Sequence, residues 1–163
     1  MPSNSRIGSC RRRPNEIAVR TPTSTPGIAR RPSALVANIA DAVELATTLG
    51  EDHGDVLVLG WGSTRGAITS AVLQLQKQGH SVSASFLRWL NPLPKNLGEL
   101  MKRFKKVLLP ELNKGQLCMM LRAKYLVDVE SVSKVDGQPF KSHEILARLT
   151  QSLQSLKNQG ASR

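Results

Sequence analysis

From residue 33 onward, short unbroken apolar runs alternate with amphipathic stretches. Val56, Leu57, Val58 and Leu59 form the first such run, the pattern of a parallel strand covered on both faces. Gly60, Gly62 and Gly66 follow and predict a sharp turn bringing a helix close to that strand. The helix is expected over 66–78, with Ile68, Ala71, Val72 and Leu75 on one face and Gly79 ending it. Ser81–Leu87 reads as a second strand, with Val82, Ala84 and Phe86 alternating. The two prolines of Arg88–Pro94 exclude regular structure there. A short helix over Asn96–Phe104 with Leu97 and Leu100 inward, a strand over Val107–Leu109, and a helix over Gln116–Tyr125 come next. Val127–Val135 is strand-like, and Ser142–Lys157 closes the pattern with Ile145, Leu149, Leu153 and Leu156 at helical spacing. Upstream, Ser33–Leu49 predicts another helix. Ser33 is its cap, Gly50 its stop, and Leu35, Val36, Ile39, Val43 and Ala46 form its apolar stripe. The order implies an α/β fold: a small three-layer, mainly parallel sheet of about four strands with flanking helices.

Residues 1–32 break this pattern. They are rich in Arg, Ser, Thr and Pro and lack hydrophobic periodicity, so they read as a disordered tail, with a transit peptide as the sharper alternative. The domain is expected over 33–158, with a short tail at 159–163. The tail also bears on the net charge of +11: residues 1–34 contribute +6, residues 35–54 contribute −4, and residues 55–163 contribute +9. With only 4% aromatic residues, a stacking platform for single-stranded nucleic acid is not expected. No apolar run approaches the ~20 residues that span a bilayer. Neither nucleic acid nor membrane is therefore an expected partner. Cys10 and Cys118 match no ligand spacing, so no metal or cluster is expected on this chain alone. A reducing, cytoplasmic compartment fits this cysteine usage.

The turn at 60–66 reads G-x-G-x-x-x-G, one residue longer than the dinucleotide fingerprint, and no acid ends the second strand. A structural corner is its first reading. Anion or cofactor contact by Ser63, Thr64 and the amides of the following helix is the second, and a complete dinucleotide site, with Arg88 serving a 2′-phosphate, the last. His53, His80 and His143 have no catalytic neighbours in sequence, and Ser63 lies outside a G-x-S-x-G elbow, so no catalytic residue is assigned. Lys102, Arg103, Lys105 and Lys106 are either a solvated helix end or a patch for an acidic partner. Glu111 and Asn113 follow a strand at the edge where α/β proteins place function. They either contact a neighbour or bond locally, with Asn113 capping the next helix.

Three segments together carry a resemblance: GWGSTRGAI at 60–68, LRWLNPLPKNLGELMKRFKKVLLPELNKGQL at 87–117 and LRAKYLVDVESVSKVDGQPF at 121–140. In order and spacing they resemble the carboxyl-terminal region of the alpha subunit of 2-oxoacid:ferredoxin oxidoreductases, especially the 2-oxoglutarate type. The resemblance covers about 54–141. It implies a domain similar to the carboxyl-terminal domain of transketolase. It also implies a whole enzyme that decarboxylates a 2-oxoacid on thiamine diphosphate with magnesium, passes electrons through iron–sulfur clusters to ferredoxin, and releases acyl-coenzyme A. The implied partners are the beta subunit, the rest of the alpha subunit and, through the assembled enzyme, ferredoxin.

The family's earlier alpha-subunit domain has no counterpart in this sequence, and no thiamine motif or cluster cysteines are present. The chain is thus expected to be a truncated alpha subunit, inactive alone, binding no cofactor by itself and serving structure and assembly. Its contact candidates are Gly62, Ser63, Thr64, Arg65, Arg88, Glu111 and Asn113. The alternatives are a stand-alone module for a phosphorylated ligand such as coenzyme A, and an interaction protein using its basic surface.

Overall fold

The structure, a computed structural model, describes Ile39 and residues 41–160. The expected tail at 1–32 lies outside the described residues, as do 161–163 and part of the expected first helix. Among the described residues, five strands form one sheet: β1 (Thr48–Leu49), β2 (Gly54–Trp61), β3 (Val82–Leu87), β4 (Phe104–Glu111) and β5 (Val129–Ser133). Among the described residues, the helices from Arg65 onward are α1 (Arg65–Lys77), α2 (Leu97–Lys102), α3 (Gln116–Tyr125) and α4 (Ser142–Gly160).

The strand order is β1-β3-β2-β4-β5. β2 pairs in parallel with both β3 and β4, and β5 extends the parallel set from β4. Because the first long strand lies between the next two, chain direction reverses between β2 and β4, a topological switch point. Helices cover both faces, which explains the unbroken apolar runs. Leu57, Leu59, Val107 and Leu109 face α2 and α3, while Val56, Val58 and Leu108 face α1 and α4. Each fully buried leucine is worth about 1.5–3 kcal/mol relative to exposure, so the doubly covered centre carries much of the stability.

The expected first helix is corrected. Ile39, Asp41 and Ala42 are helical, but the chain leaves the helix at Val43, and Thr48–Leu49 is a strand antiparallel to β3. The sheet therefore has five strands, one of them antiparallel. Two amide side chains hold this segment. The Asn96 Oδ1 accepts from Ala46 N–H at 2.8 Å while its Nδ2 donates to Ala46 C=O at 2.9 Å. The Gln76 Nε2 donates to the carbonyls of Leu49 and Val82 at 3.3 and 2.7 Å. These tertiary bonds override a spacing of Val43 and Ala46 that fits a helix equally well. A second correction concerns β3: Ser83 and Ser85 are buried together with Val82 and Ala84, so the alternation in its sequence does not mark a solvent face. The closing helix also runs past the expected boundary, to Gly160.

Candidate functional site

The carboxyl ends of β2, β3 and β4 form one edge of the sheet. Gly60 lets β2 pass beneath its neighbours: a Cβ there would lie 2.8 Å from both Ile68 Cδ1 and Phe86 Cδ1. Gly62 makes the corner with φ +61°. Gly66 does neither. It lies inside α1 and a Cβ would meet nothing within 4 Å, so the expectation that it serves close packing is corrected. The corner itself is a single 3₁₀ turn over Gly62–Thr64. Thr64 locks it: its hydroxyl donates to Trp61 C=O at 2.9 Å and accepts from Trp61 N–H at 3.2 Å. Thr64 is buried, whereas Ser63 is exposed.

Three hollows open on this edge. One of about 220 Å³ sits at the switch point, lined by Trp61, Gly62, Ser63, Thr64 and Leu112. A second, about 380 Å³, lies over the ends of β2 and β3 between Arg65 and Arg88. A third, about 510 Å³, shares Arg65, Phe86 and Arg88 and is also lined by Glu44, Thr47 and Thr48. Arg65 stacks over the Phe86 ring at 5.0 Å and Arg88 over Trp89 at 5.9 Å. Trp61 Nε1 is buried and has no acceptor.

Glu111 and Asn113 are spent locally. The Glu111 carboxylate is fully buried and accepts from Leu117 N–H at 3.1 Å and Cys118 N–H at 2.9 Å. Asn113 Oδ1 accepts from Gly115 N–H at 2.8 Å and Gln116 N–H at 3.2 Å. Together they satisfy the amides that open α3, and the negative carboxylate suits the positive end of that helix. Of the two readings left open by the sequence, this geometry is the local one. Glu111's part was not legible, because it caps from the preceding strand, six and seven residues away, rather than from the position adjoining the helix. Nearby, the Cys118 Sγ donates to Val129 C=O at 3.1 Å. Burial first, and the Glu111 charge second, push its thiol pKa up, which makes it an unreactive core thiol.

The basic cluster around the start of β4 is largely neutralised. Arg103 pairs with Asp52, Lys105 with Asp55 at 2.8 Å, and Lys106 with Glu130 at 2.7 Å. Among the described residues, no three His, Cys, Asp or Glu side chains gather as a metal site, and no helix is long and apolar enough to cross a membrane.

Residues 54–145 match the family model of pyruvate:ferredoxin oxidoreductase core domain II. The chain is 50% identical over 91 residues to the 2-oxoglutarate oxidoreductase subunit KorA of Mycobacterium tuberculosis, covering 56% of this chain and 14% of that subunit. It is 30% identical over 115 residues to the alpha subunit of 2-oxoacid:ferredoxin oxidoreductase 2 of Aeropyrum pernix, covering 69% of this chain and 18% of that one. It thus spans less than a fifth of the length of these curated relatives. In three dimensions it resembles a 2-oxoglutarate:ferredoxin oxidoreductase from Magnetococcus marinus, solved with 2-oxoglutarate, coenzyme A and succinyl-CoA bound. The TM-score is 0.74 and the identity 27%, over 80% of this chain and 24% of that one. A split-gene transketolase shares the fold at TM-score 0.54 and 18% identity, over 67% of this chain and 41% of that one. Matched by the family model over more than half its length, on a doubly wound sheet that both structural relatives share, the chain belongs to the pyruvate:ferredoxin oxidoreductase core domain II family.

Proposed function

We propose that this chain serves as a structural and assembly domain of the alpha subunit of a 2-oxoacid:ferredoxin oxidoreductase acting on 2-oxoglutarate. The observation that carries this reading is the 50% identity to the KorA subunit over 91 residues, within the stretch matched by the family model. In the proposed whole enzyme, decarboxylation on thiamine diphosphate with magnesium, electron transfer through an iron–sulfur cluster to ferredoxin, and acyl transfer to coenzyme A take place in the cytoplasm. This chain alone performs none of these steps.

Exposed apolar side chains support an assembly role. Trp89, Leu112, Met119 and Met120 are all large hydrophobics open to solvent, and an assembled subunit would cover them. At the carboxyl edge of the sheet, Gly62, Ser63, Thr64, Arg65 and Arg88 are the proposed contact residues for a cofactor or a neighbouring subunit. Co-expression with a beta subunit and the remaining alpha-subunit domains tests the reading. The chain is expected to co-elute with them, and the mixture to reduce ferredoxin only with 2-oxoglutarate and coenzyme A present. Turnover by the purified chain alone, or failure to co-elute, would overturn it.

A further inference from the structure

Arg65 and Arg88 differ from Arg103, Lys105 and Lys106 in having no acidic partner among the described residues. Those three, near the start of β4, are matched by acids, whereas neither Arg65 nor Arg88 has an acid within ion-pair distance among the described residues. Both line the same two hollows, at the carboxyl edge of a parallel sheet, beside the switch-point strand. Their guanidinium groups lie over the rings of Phe86 and Trp89, which orders the side chains, so less freedom is lost when a ligand is gripped. Arg65 is also the first residue of α1, whose start carries no side-chain cap, so the positive end of that helix adds to the same field. α3, by contrast, has its start closed by Glu111 and Asn113. The wider hollow adds the hydroxyl-bearing residues Thr47, Thr48 and Thr69. Glu44 lines it too and is the one acid facing the pair there.

We infer that the hollow between Arg65 and Arg88 binds a diphosphate group. Two guanidinium groups line one hollow of about 380 Å³, and an anion with two linked negative centres can offer each fork its own centre in charge-assisted bonds. The inference rests on the reading of Arg65 and Arg88 as contact residues, but not on assembly with a beta subunit. Titration of the isolated chain therefore separates its failure from that of the assembly proposal.

The test is calorimetric titration of the purified 163-residue chain with pyrophosphate, ADP and sulfate. Pyrophosphate is expected to bind saturably, below about 1 mM. Tighter binding of ADP would identify the source as a nucleotide-like ligand, and equal binding would confine recognition to the diphosphate. Arg65→Gln and Arg88→Gln should each weaken binding about tenfold or more. Lys102→Gln, an exposed cation at the opposite end of β4, should leave it unchanged. Both arginines are exposed, so thermal unfolding of the variants should match the parent and separates lost binding from lost folding. Absence of pyrophosphate binding, equal binding of sulfate, or equal weakening by Lys102→Gln would overturn the assignment.

Discussion

Glu111 is a fully buried carboxylate whose two oxygens are both committed to backbone amides of the next helix. Removing it strands those amides in a low-dielectric setting. Glu111→Ala should destabilise the domain by about 2–3 kcal/mol, measured by urea unfolding. Glu111→Gln keeps one acceptor and should lose less. Leu126 presents the opposite case. It ends α3 in the left-handed region at φ 54°, donating its N–H to Arg122 C=O at 3.0 Å, while the residue is 89% exposed. Little packing is therefore given up on substitution. Leu126→Gly should raise stability by about 0.5–1 kcal/mol in the same assay, because the strain relieved exceeds the chain entropy added. At Gly60, Ala would place a Cβ 2.8 Å from Ile68 and Phe86 and should lower stability by about 1–3 kcal/mol.

At the scale of elements, the loop leading into α4 is tied by one lysine. Lys134 bonds both Glu144 carboxylate oxygens, at 2.9 and 3.0 Å, and the carbonyl of Pro139, while Lys141 N–H donates to Glu144 at 2.8 Å. The Lys141 amide first, and Lys134 second, hold the Glu144 pKa below the usual carboxylate value. The stability this provides is present above that usual value and is lost as pH falls through the lowered one. The bond to Glu144 raises the Lys134 pKa, so its contribution is full below the ordinary lysine value and is lost as pH rises through the raised one. Glu144→Gln should therefore flatten the acid limb of the stability–pH profile, read from denaturant midpoints.

The antiparallel edge makes a further element-level prediction. Asn96→Ala should remove the exchange protection of the Ala46 amide while leaving the amides of β2 protected.

These elements also show what the sequence carries. β2, α1 and α3 were legible because doubly buried strands leave unbroken apolar runs and half-buried helices leave a stripe. The 43–49 stretch misled because its apolar spacing suits a helix, while the deciding bonds come from Asn96 and Gln76, remote in sequence. At the candidate site, the turn and both arginines could be read from the sequence. That Arg65 and Arg88 share a hollow could not, because it depends on the register that aligns Trp61 with Leu87.

Across the whole molecule, charge is sorted by sheet edge. Acids at Asp52, Asp55 and Glu130 pair with Arg103, Lys105 and Lys106 around the start of β4, whereas Arg65 and Arg88 at the carboxyl edge have no acidic partner among the described residues. Surface pairs of this kind contribute little stability individually, so their effect lies in where they leave positive potential. Binding of anions to the chain should accordingly weaken with salt, and the carboxyl edge, rather than the Lys102–Lys106 cluster, should show amide chemical-shift changes on addition of pyrophosphate.

The short strand β1 has a practical consequence for moving this domain between proteins. The family match begins at residue 54, yet Ala84 and Ser85 at the middle of β3 are paired on their outer side by Leu49 and Thr48, which lie upstream of that point. A transplant cut at residue 54 would carry the whole parallel set but free the middle of β3, leaving its outer edge unblocked for pairing with another copy. Residues 54–160 alone should self-associate in size-exclusion chromatography, whereas a piece begun at residue 39 should not. The unit of exchange is thus longer than the unit of similarity.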